Sequence, residues 1–169
     1  MLEDVKIVKG ILPDTVNTSL IQYLTNNCQW TVGRENTFTP YQMLFEKKLF
    51  AGFSVETQNN SSHDFLNTCA IVITEKIKQE LKIQGGATRF FWNMYYPNHK
   101  SLGHIDDPKD DSVSIVYNLN TTKGGTMINN IFYEDKAGEA KVFRSNIKHQ
   151  GIGDTSNTCR FNLNVLLER

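Results

Sequence analysis

Three stretches of this chain alternate apolar and polar side chains with a period of two, and that alternation constrains its fold more than any other feature. In RFFWNMYY, Arg89, Phe91, Asn93 and Tyr95 share one side of an extended strand, while Phe90, Trp92 and Met94 share the other. Residues 112–119 divide in the same way into Val113, Ile115, Tyr117 and Leu119 against Ser114, Val116 and Asn118. Residues 160–167 divide into Phe161, Leu163, Val165 and Leu167 against Arg160, Asn162 and Asn164. A sheet built from such strands needs a layer over its apolar side. Its polar side has two fates: it meets water, as in a half-exposed antiparallel sheet, or it lines a polar cavity between two sheets.

The first half of the chain supplies the covering layer. Pro13 and Asp14 open a helical pattern in which Val16, Leu20 and Leu24 recur every four residues. After the polar run QNNSSHD, Leu66, Ala70, Ile73, Ile77 and Leu81 form one helical stripe that Gly85 and Gly86 end. A short strand over Val5 to Val8 precedes both helices, and further strands are predicted over Thr126 to Tyr133 and Ala140 to Phe143. The segment Trp30 to Asn60, with Arg34, Tyr41 and Phe50, is expected to add strands and a loop over the site. With no repeat and no linker, residues 1–169 read as one α+β domain, helices on one face of a β-sandwich or barrel.

Composition narrows the function classes. Lys plus Arg and Asp plus Glu are balanced at 18 each, so no overall field favours nucleic acid or an anionic membrane. Cys28, Cys69 and Cys159 are odd in number and widely spaced, which suits reduced thiols, and no CxxC suggests zinc. The opening MLEDVKIVKG lacks the basic and apolar regions of a signal peptide, and no apolar run approaches the ~20 residues of a membrane span. The expectation is a cytoplasmic chain with no membrane partner.

Any histidine metal site must draw on His63, His99, His104 and His149. His104 and Asp106 are two apart, which on an extended segment puts imidazole and carboxylate on one side. An HxD by itself is equally a surface occurrence. His149 follows the strand pattern AKVF, and Arg160 begins the last strand. Two histidines and one carboxylate make a facial set that leaves coordination positions open for a 2-oxo acid and dioxygen, which suits non-haem iron(II). A 2-oxo dicarboxylate would then need a cation for its far carboxylate. Arg160 fits, with Asn162, Asn93 and Tyr95 on neighbouring inner positions, and it equally fits an exposed arginine paired with Glu168. Arg144 and Lys148 are the competing cations. His63 and His99 read as surface residues, and Cys159 as packed away from the site.

With these residues in place, the sequence resembles the iron(II)- and 2-oxoglutarate-dependent dioxygenases, in particular the prolyl-hydroxylase-like branch frequent in phages and bacteria. The resemblance rests on RFFWNMYYPNHKSLGHIDDPKDDSVSIVYNLN, on Gly124 and Gly125 as a Gly-Gly turn, on VFRSNIKH and on CRFNLNVLL. The run HIDDPKDDSVSIVYNLN is similar in type and order to the hypoxia-factor prolyl hydroxylases.

The resemblance implies a double-stranded β-helix, or jelly roll, with two N-terminal helices packed on the larger sheet and the site between the sheets. It implies iron(II) on His104, Asp106 and His149, and the C5 carboxylate of 2-oxoglutarate on Arg160. Asn93, Tyr95 and Asn162 match positions that touch the co-substrate in the AlkB-like branch. Asn118 stands where the hypoxia type has a tyrosine, and Leu166 where AlkB-like demethylases have a second arginine.

The implied reaction is hydroxylation of a C–H bond, of a prolyl residue in a peptide or protein above all, coupled to conversion of 2-oxoglutarate and dioxygen to succinate and carbon dioxide, with ascorbate as reductant. Small molecules are the other substrate class. The rivals are an AlkB-like nucleic-acid dealkylase, which the balanced charge does not favour, and a non-catalytic jelly-roll binding module.

Overall fold

A computed structural model of the chain describes residues 4–28, 30–32, 52–56 and 63–168. The elements run β1 (Lys6–Val8), α1 (Asp14–Asn27), β2 (Thr31–Val32), β3 (Gly52–Glu56), α2 (Asp64–Leu81), β4 (Gly86–Tyr95), β5 (Val113–Asn118), β6 (Thr122–Ile128), β7 (Ile131–Asp135), β8 (Ala140–Arg144), β9 (His149–Ile152) and β10 (Arg160–Glu168). They form a seven-stranded sheet in the order β1-β8-β5-β10-β4-β3-β2 and a three-stranded sheet in the order β7-β6-β9. The paired strands are antiparallel in both sheets. This is the α+β double-stranded β-helix that the resemblance implies. Arg34, Tyr41 and Phe50 lie outside the described residues. No helix among the described residues is long and apolar enough to cross a membrane.

The alternation in the sequence is the alternation of the larger sheet's two faces. Phe90, Trp92, Val113, Ile115, Tyr117, Leu163, Val165 and Leu167 are buried in one cluster with Leu20 and Leu24 of α1 and Leu66, Ala70, Ile73 and Ile77 of α2. Burying a side chain of this size from water contributes about 1.5–3 kcal/mol, so this layer supplies the main driving force. Cys159 packs against the same cluster, away from the inner face. The opposite face is largely covered: Asn118, Arg160 and Asn162 are buried, Asn93, Tyr95 and Asn164 are half-buried, and Val116 and Phe143 pack with Ile128 of the smaller sheet.

Several boundaries depart from the sequence reading. In α1 the inward stripe is Asn17, Leu20 and Leu24, while Val16 is 39% exposed. Asn17 turns inward because its Oδ1 accepts a 2.6 Å hydrogen bond from the Tyr117 hydroxyl. α2 stops at Leu81, with Lys82 in the left-handed region at φ 53°, before Gly85 is reached.

The stretch 126–133 is not one strand but two. Asn129 and Asn130 both take positive φ, 46° and 64°, as a two-residue hairpin turn requires, and the chain folds back there from β6 to β7. Gly124 and Gly125 lie inside β6 rather than in a turn, beside an irregularity in the β6–β7 register. A Cβ on Gly124 would stand 2.7 Å from the Ile152 carbonyl oxygen, so strand β9 can approach only a glycine.

Candidate metal centre and anion pocket

His104 and His149 are joined by the backbone before any ion is considered. His104 N donates to the His149 carbonyl at 2.9 Å, and His149 N donates back to the His104 carbonyl at 2.8 Å. This reciprocal pair brings the imidazole rings to 4.4 Å between centroids. Asp106 N donates to the Ser145 carbonyl at 3.0 Å, which turns the carboxylate towards the two rings. One ligand atom from each of His104, Asp106 and His149 lies within 4.8 Å of the other two.

The tautomers suit metal binding. His104 Nδ1 lies 2.9 Å from the Leu102 carbonyl and His149 Nδ1 lies 3.0 Å from that of Ile147. A carbonyl only accepts, so each Nδ1 carries the proton, and Nε2 is the atom at which a cation would replace a proton shared with Asp106. Those Nε2 atoms are the ones facing Asp106, at 3.8 Å for His104 and 3.4 Å for His149. The His104 side chain is 40% exposed and that of His149 is 4% exposed, so the cluster opens to solvent on the His104 side.

Asp106 is held as an anion. Burial pushes its carboxyl up, but a hydrogen bond with His149, the Arg89 guanidinium and a hydrogen bond from Ser114 outweigh that and hold it well below the usual carboxylate range. Arg89 Nη2 donates to Asp106 Oδ1 at 2.5 Å and to Asn164 Oδ1 at 2.8 Å, and Ser114 Oγ donates to Asp106 Oδ2 at 2.7 Å. Arg89 stands directly across the β10–β4 register from Leu166, so this level of the inner face carries a guanidinium although position 166 is leucine. The sequence reading placed Arg89 and Ser114 on the polar sides of their strands without giving them a role.

Along the same inner face Asn162 alone separates Asn164 from Arg160. Arg160 is 1% exposed and is not paired with Glu168, which lies with Lys109 at 3.6 Å. Its Nε donates to Asp135 Oδ2, its Nη2 donates to Thr126 Oγ1 at 2.9 Å, and its Nη1 has no partner. Burial works against the charge, but Asp135 and Tyr95 more than offset it and raise the guanidinium further above its ordinary range. The Tyr95 ring lies 4.7 Å from the guanidinium carbon, and a Cβ on Gly151 would stand 2.5 Å from the Tyr95 hydroxyl oxygen.

Asn93 Nδ2 donates to Asn162 Oδ1 at 3.1 Å, which leaves Asn162 Nδ2 unpaired. Asn118 Oδ1 lies 3.4 Å from Lys141 Nζ, and its Nδ2 is also unpaired. Tyr95, Asn93, Asn162, Asn118 and Arg160 are therefore neighbours through the register that pairs Arg160 with Tyr95 and Asn162 with both Asn93 and Asn118. Asp135, Thr126 and Lys141 are additions that the sequence reading missed. Lys148 is exposed and lies over Gly103. Neither His63 nor His99 belongs to the three-residue cluster.

No protein-family model matches the chain, and no curated protein matches it. Solved structures do. A prolyl-4-hydroxylase from Pseudomonas putida is 16% identical over 98% of this chain and 92% of its own, with a TM-score of 0.68. A Trichoplax adhaerens prolyl hydroxylase, in complex with a hypoxia inducible factor peptide fragment, is 15% identical over 96% of this chain and 82% of its own, with a TM-score of 0.69. The non-heme alpha ketoglutarate dependent epimerase of nogalamycin biosynthesis is 8% identical over 97% of this chain and 77% of its own, with a TM-score of 0.72. At these identities the likeness shows a shared fold.

Proposed function

We propose that this chain, as one domain, is an iron(II)- and 2-oxoglutarate-dependent dioxygenase that hydroxylates a C–H bond, and that the bond belongs to a prolyl residue of a peptide or protein. One observation carries the reading. Three convergent metal-ligand atoms stand beside the inner face, where Arg89 and Ser114 hold Asp106, and further along β10 that face carries a buried guanidinium with an unpaired N–H. A buried unsatisfied donor on a charged group is costly in a sheet that serves only to fold, whereas it suits a carboxylate arriving from outside.

The residues present fit both groups. His104 and His149 would offer Nε2 and Asp106 an oxygen to iron(II), a two-nitrogen, one-oxygen set that leaves sites for a chelating 2-oxo acid. Iron(II), when bound, supplies the dioxygen chemistry that couples conversion of 2-oxoglutarate to succinate and carbon dioxide with hydroxylation of the substrate. The protein's part is placement. The Leu102 and Ile147 carbonyls fix the two imidazoles, Arg89 and Ser114 fix Asp106, and Arg160 with Asn118 and Asn162 receives the distal carboxylate of 2-oxoglutarate. Support for a prolyl substrate is the pair of prolyl hydroxylases that share the fold. The epimerase shares it too, so the substrate is the part that experiment must assign.

The test is succinate formation from 2-oxoglutarate by the purified protein with iron(II), ascorbate and air. Activity is expected to need oxygen, to vanish in His104→Ala, Asp106→Ala and His149→Ala, and to survive in His63→Ala and His99→Ala. Oxygen-independent turnover supported by zinc would overturn the assignment, and absence of turnover with intact iron binding would favour a binding module. Proline-containing peptides are then screened by mass spectrometry for gain of one oxygen.

A further inference from the structure

Two buried cations meet on the inner face of the larger sheet. Lys141, 2% exposed, lies on β8 at the level of Val116 and points to the same interior as Arg160. Its Nζ donates to Asp135 Oδ1 at 2.5 Å and to Asn118 Oδ1 at 3.4 Å, while the other Asp135 oxygen accepts from Arg160 Nε. One fully buried carboxylate thus stands between a buried ammonium and a buried guanidinium. Glu139 adds only a weak attraction to Lys141, and its own partner is Lys9 near the surface, at 3.5 Å. With both cations protonated, the trio carries one positive charge more than Asp135 answers, and burial, against the pull of Asp135, lowers the Lys141 ammonium below its ordinary range, so a further anion beside it would stabilise both charges.

The unpaired atoms name what would answer it. Arg160 Nη1, Asn118 Nδ2 and Asn162 Nδ2 are all donors, and an ammonium has three N–H groups of which Lys141 uses two on Asp135 and Asn118. The amide orientations are fixed by the network, since Asn118 Oδ1 faces Lys141 and Asn162 Oδ1 faces Asn93. A site made of donors with a net charge of one unit fits a group with one negative charge and several lone pairs.

We propose that Lys141 binds the distal carboxylate of the co-substrate together with Arg160, and that Asp135 is the positioning residue that holds the two cations side by side. The three charges select a 2-oxo acid ending in a carboxylate over one with a neutral end. This rests on the co-substrate reading given above.

The experiment titrates 2-oxoglutarate, and separately 2-oxopentanoate, into the manganese(II)-loaded full-length protein under nitrogen, by calorimetry. Lys141→Met is expected to weaken 2-oxoglutarate about 10- to 100-fold, the range for a hydrogen bond to a charged group, and to leave 2-oxopentanoate unchanged. Equal weakening of both ligands, or of neither, would overturn the role of Lys141. Because removal of one cation from a buried trio threatens folding, Lys141→Met is also combined with Asp135→Asn, which restores the charge balance. If Lys141 served only to satisfy Asp135, the double variant would bind 2-oxoglutarate like Asp135→Asn alone. The proposal requires that it bind more weakly than Asp135→Asn. Failure of the natural protein to bind 2-oxoglutarate at all would sink the co-substrate reading as well, whereas normal binding with an indifferent Lys141→Met sinks this inference alone.

Discussion

The two faces of the larger sheet are built from the same strands, and both are buried, yet they are stabilised in opposite ways. Towards the helices, Trp92, Ile115, Tyr117, Leu163 and Val165 remove apolar surface from water, and burial itself is the favourable term. Towards the smaller sheet, Arg89, Asp106, Arg160, Asp135 and Lys141 are desolvated charges that need each other to be tolerated. Unpaired polar atoms occur on both sides, but Trp92 Nε1 and Asn17 Nδ2 under the helices belong to neutral groups, whereas Arg160 Nη1, Asn118 Nδ2 and Asn162 Nδ2 are neighbours around a charge. The outer face makes the domain stable; the inner face spends part of that stability on a preorganised site.

Substitutions on facing sides of one strand pair measure this contrast most directly. Leu163 pairs with Trp92 and Asn162 with Asn93, one step apart in the same register. Trp92→Ala is expected to cost about 3–5 kcal/mol of unfolding free energy, and its remaining folded fraction is expected to bind 2-oxoglutarate normally. Asn162→Ala removes one hydrogen bond and is expected to cost only about 0.5–1.5 kcal/mol while weakening the co-substrate. Denaturant unfolding followed by 2-oxoglutarate titration checks both. Equal stability losses in the two variants would erase the division of labour between the faces.

Arg160→Ala sharpens the same comparison from the inner side. Truncating one partner of a buried charged pair costs about 2–5 kcal/mol, so the 2-oxoglutarate requirement is expected to rise roughly 30-fold to several-thousand-fold, with metal affinity hardly changed. Arg160→Lys is expected to recover part of the loss, since an ammonium keeps the charge without the fork. Unchanged 2-oxoglutarate affinity in Arg160→Ala, measured on the manganese(II)-loaded protein, would remove the anchor from this strand.

The outer face was legible in the sequence because it depends on period alone. Alternation in β4, β5 and β10 and the Leu66-to-Ile77 stripe need no knowledge of which strand lies beside which. The resemblance put His104, Asp106 and His149 together and Arg160 on an inward position, and the fold groups the first three and buries the fourth, while their roles remain the proposal above. The partners of those residues were not legible. Asp135 meets Arg160, and Arg89 meets Asp106, only through strand register and the facing of two sheets, which no local pattern encodes. The Asn129–Asn130 turn was hidden for a different reason: the flanking residues on both sides favour β structure, and two asparagines in the left-handed region reverse the chain without a glycine or proline to mark it.

Arg89 is the residue that this gap in the sequence reading left out, and its loss is expected to have an intermediate effect. Its guanidinium ties Asp106 to Asn164, so Arg89→Gln leaves the carboxylate proposed as a metal ligand held chiefly by Ser114. Partners of metal ligands are typically worth about 10- to 100-fold in metal affinity. Manganese(II) binding followed by electron paramagnetic resonance is expected to weaken by that factor, with the overall stability changed less than in Trp92→Ala. A variant with unaltered metal affinity would make Arg89 a structural strut of β4 and β10 rather than an orienting group for the metal ligand.

The smallest expected effect tests how dry the outer face is. Tyr117 is fully buried among apolar residues, and its hydroxyl donates to Asn17 Oδ1 at 2.6 Å. Burial, with the Asp14 charge adding to it, pushes the phenol up to about 12. In the unfolded chain the phenol releases its proton near pH 10. The native state therefore binds more protons than the unfolded state between those values, and the Tyr117 contribution to stability, complete below about pH 10, is lost as pH rises towards about 12. Near neutral pH, Tyr117→Phe removes the hydrogen bond and is expected to cost about 1 kcal/mol. Since phenylalanine cannot ionise, the difference between the two proteins is expected to shrink and then reverse across the alkaline window, because about two pKa units outweigh the hydrogen bond, and urea unfolding at a series of pH values reads it directly. Comparing the pair cancels the lysines and other tyrosines that titrate in the same range. A gap that stayed constant to high pH would mean that the phenol ionises as freely in the fold as outside it, and the apolar face would then be wetter than its packing under the helices requires.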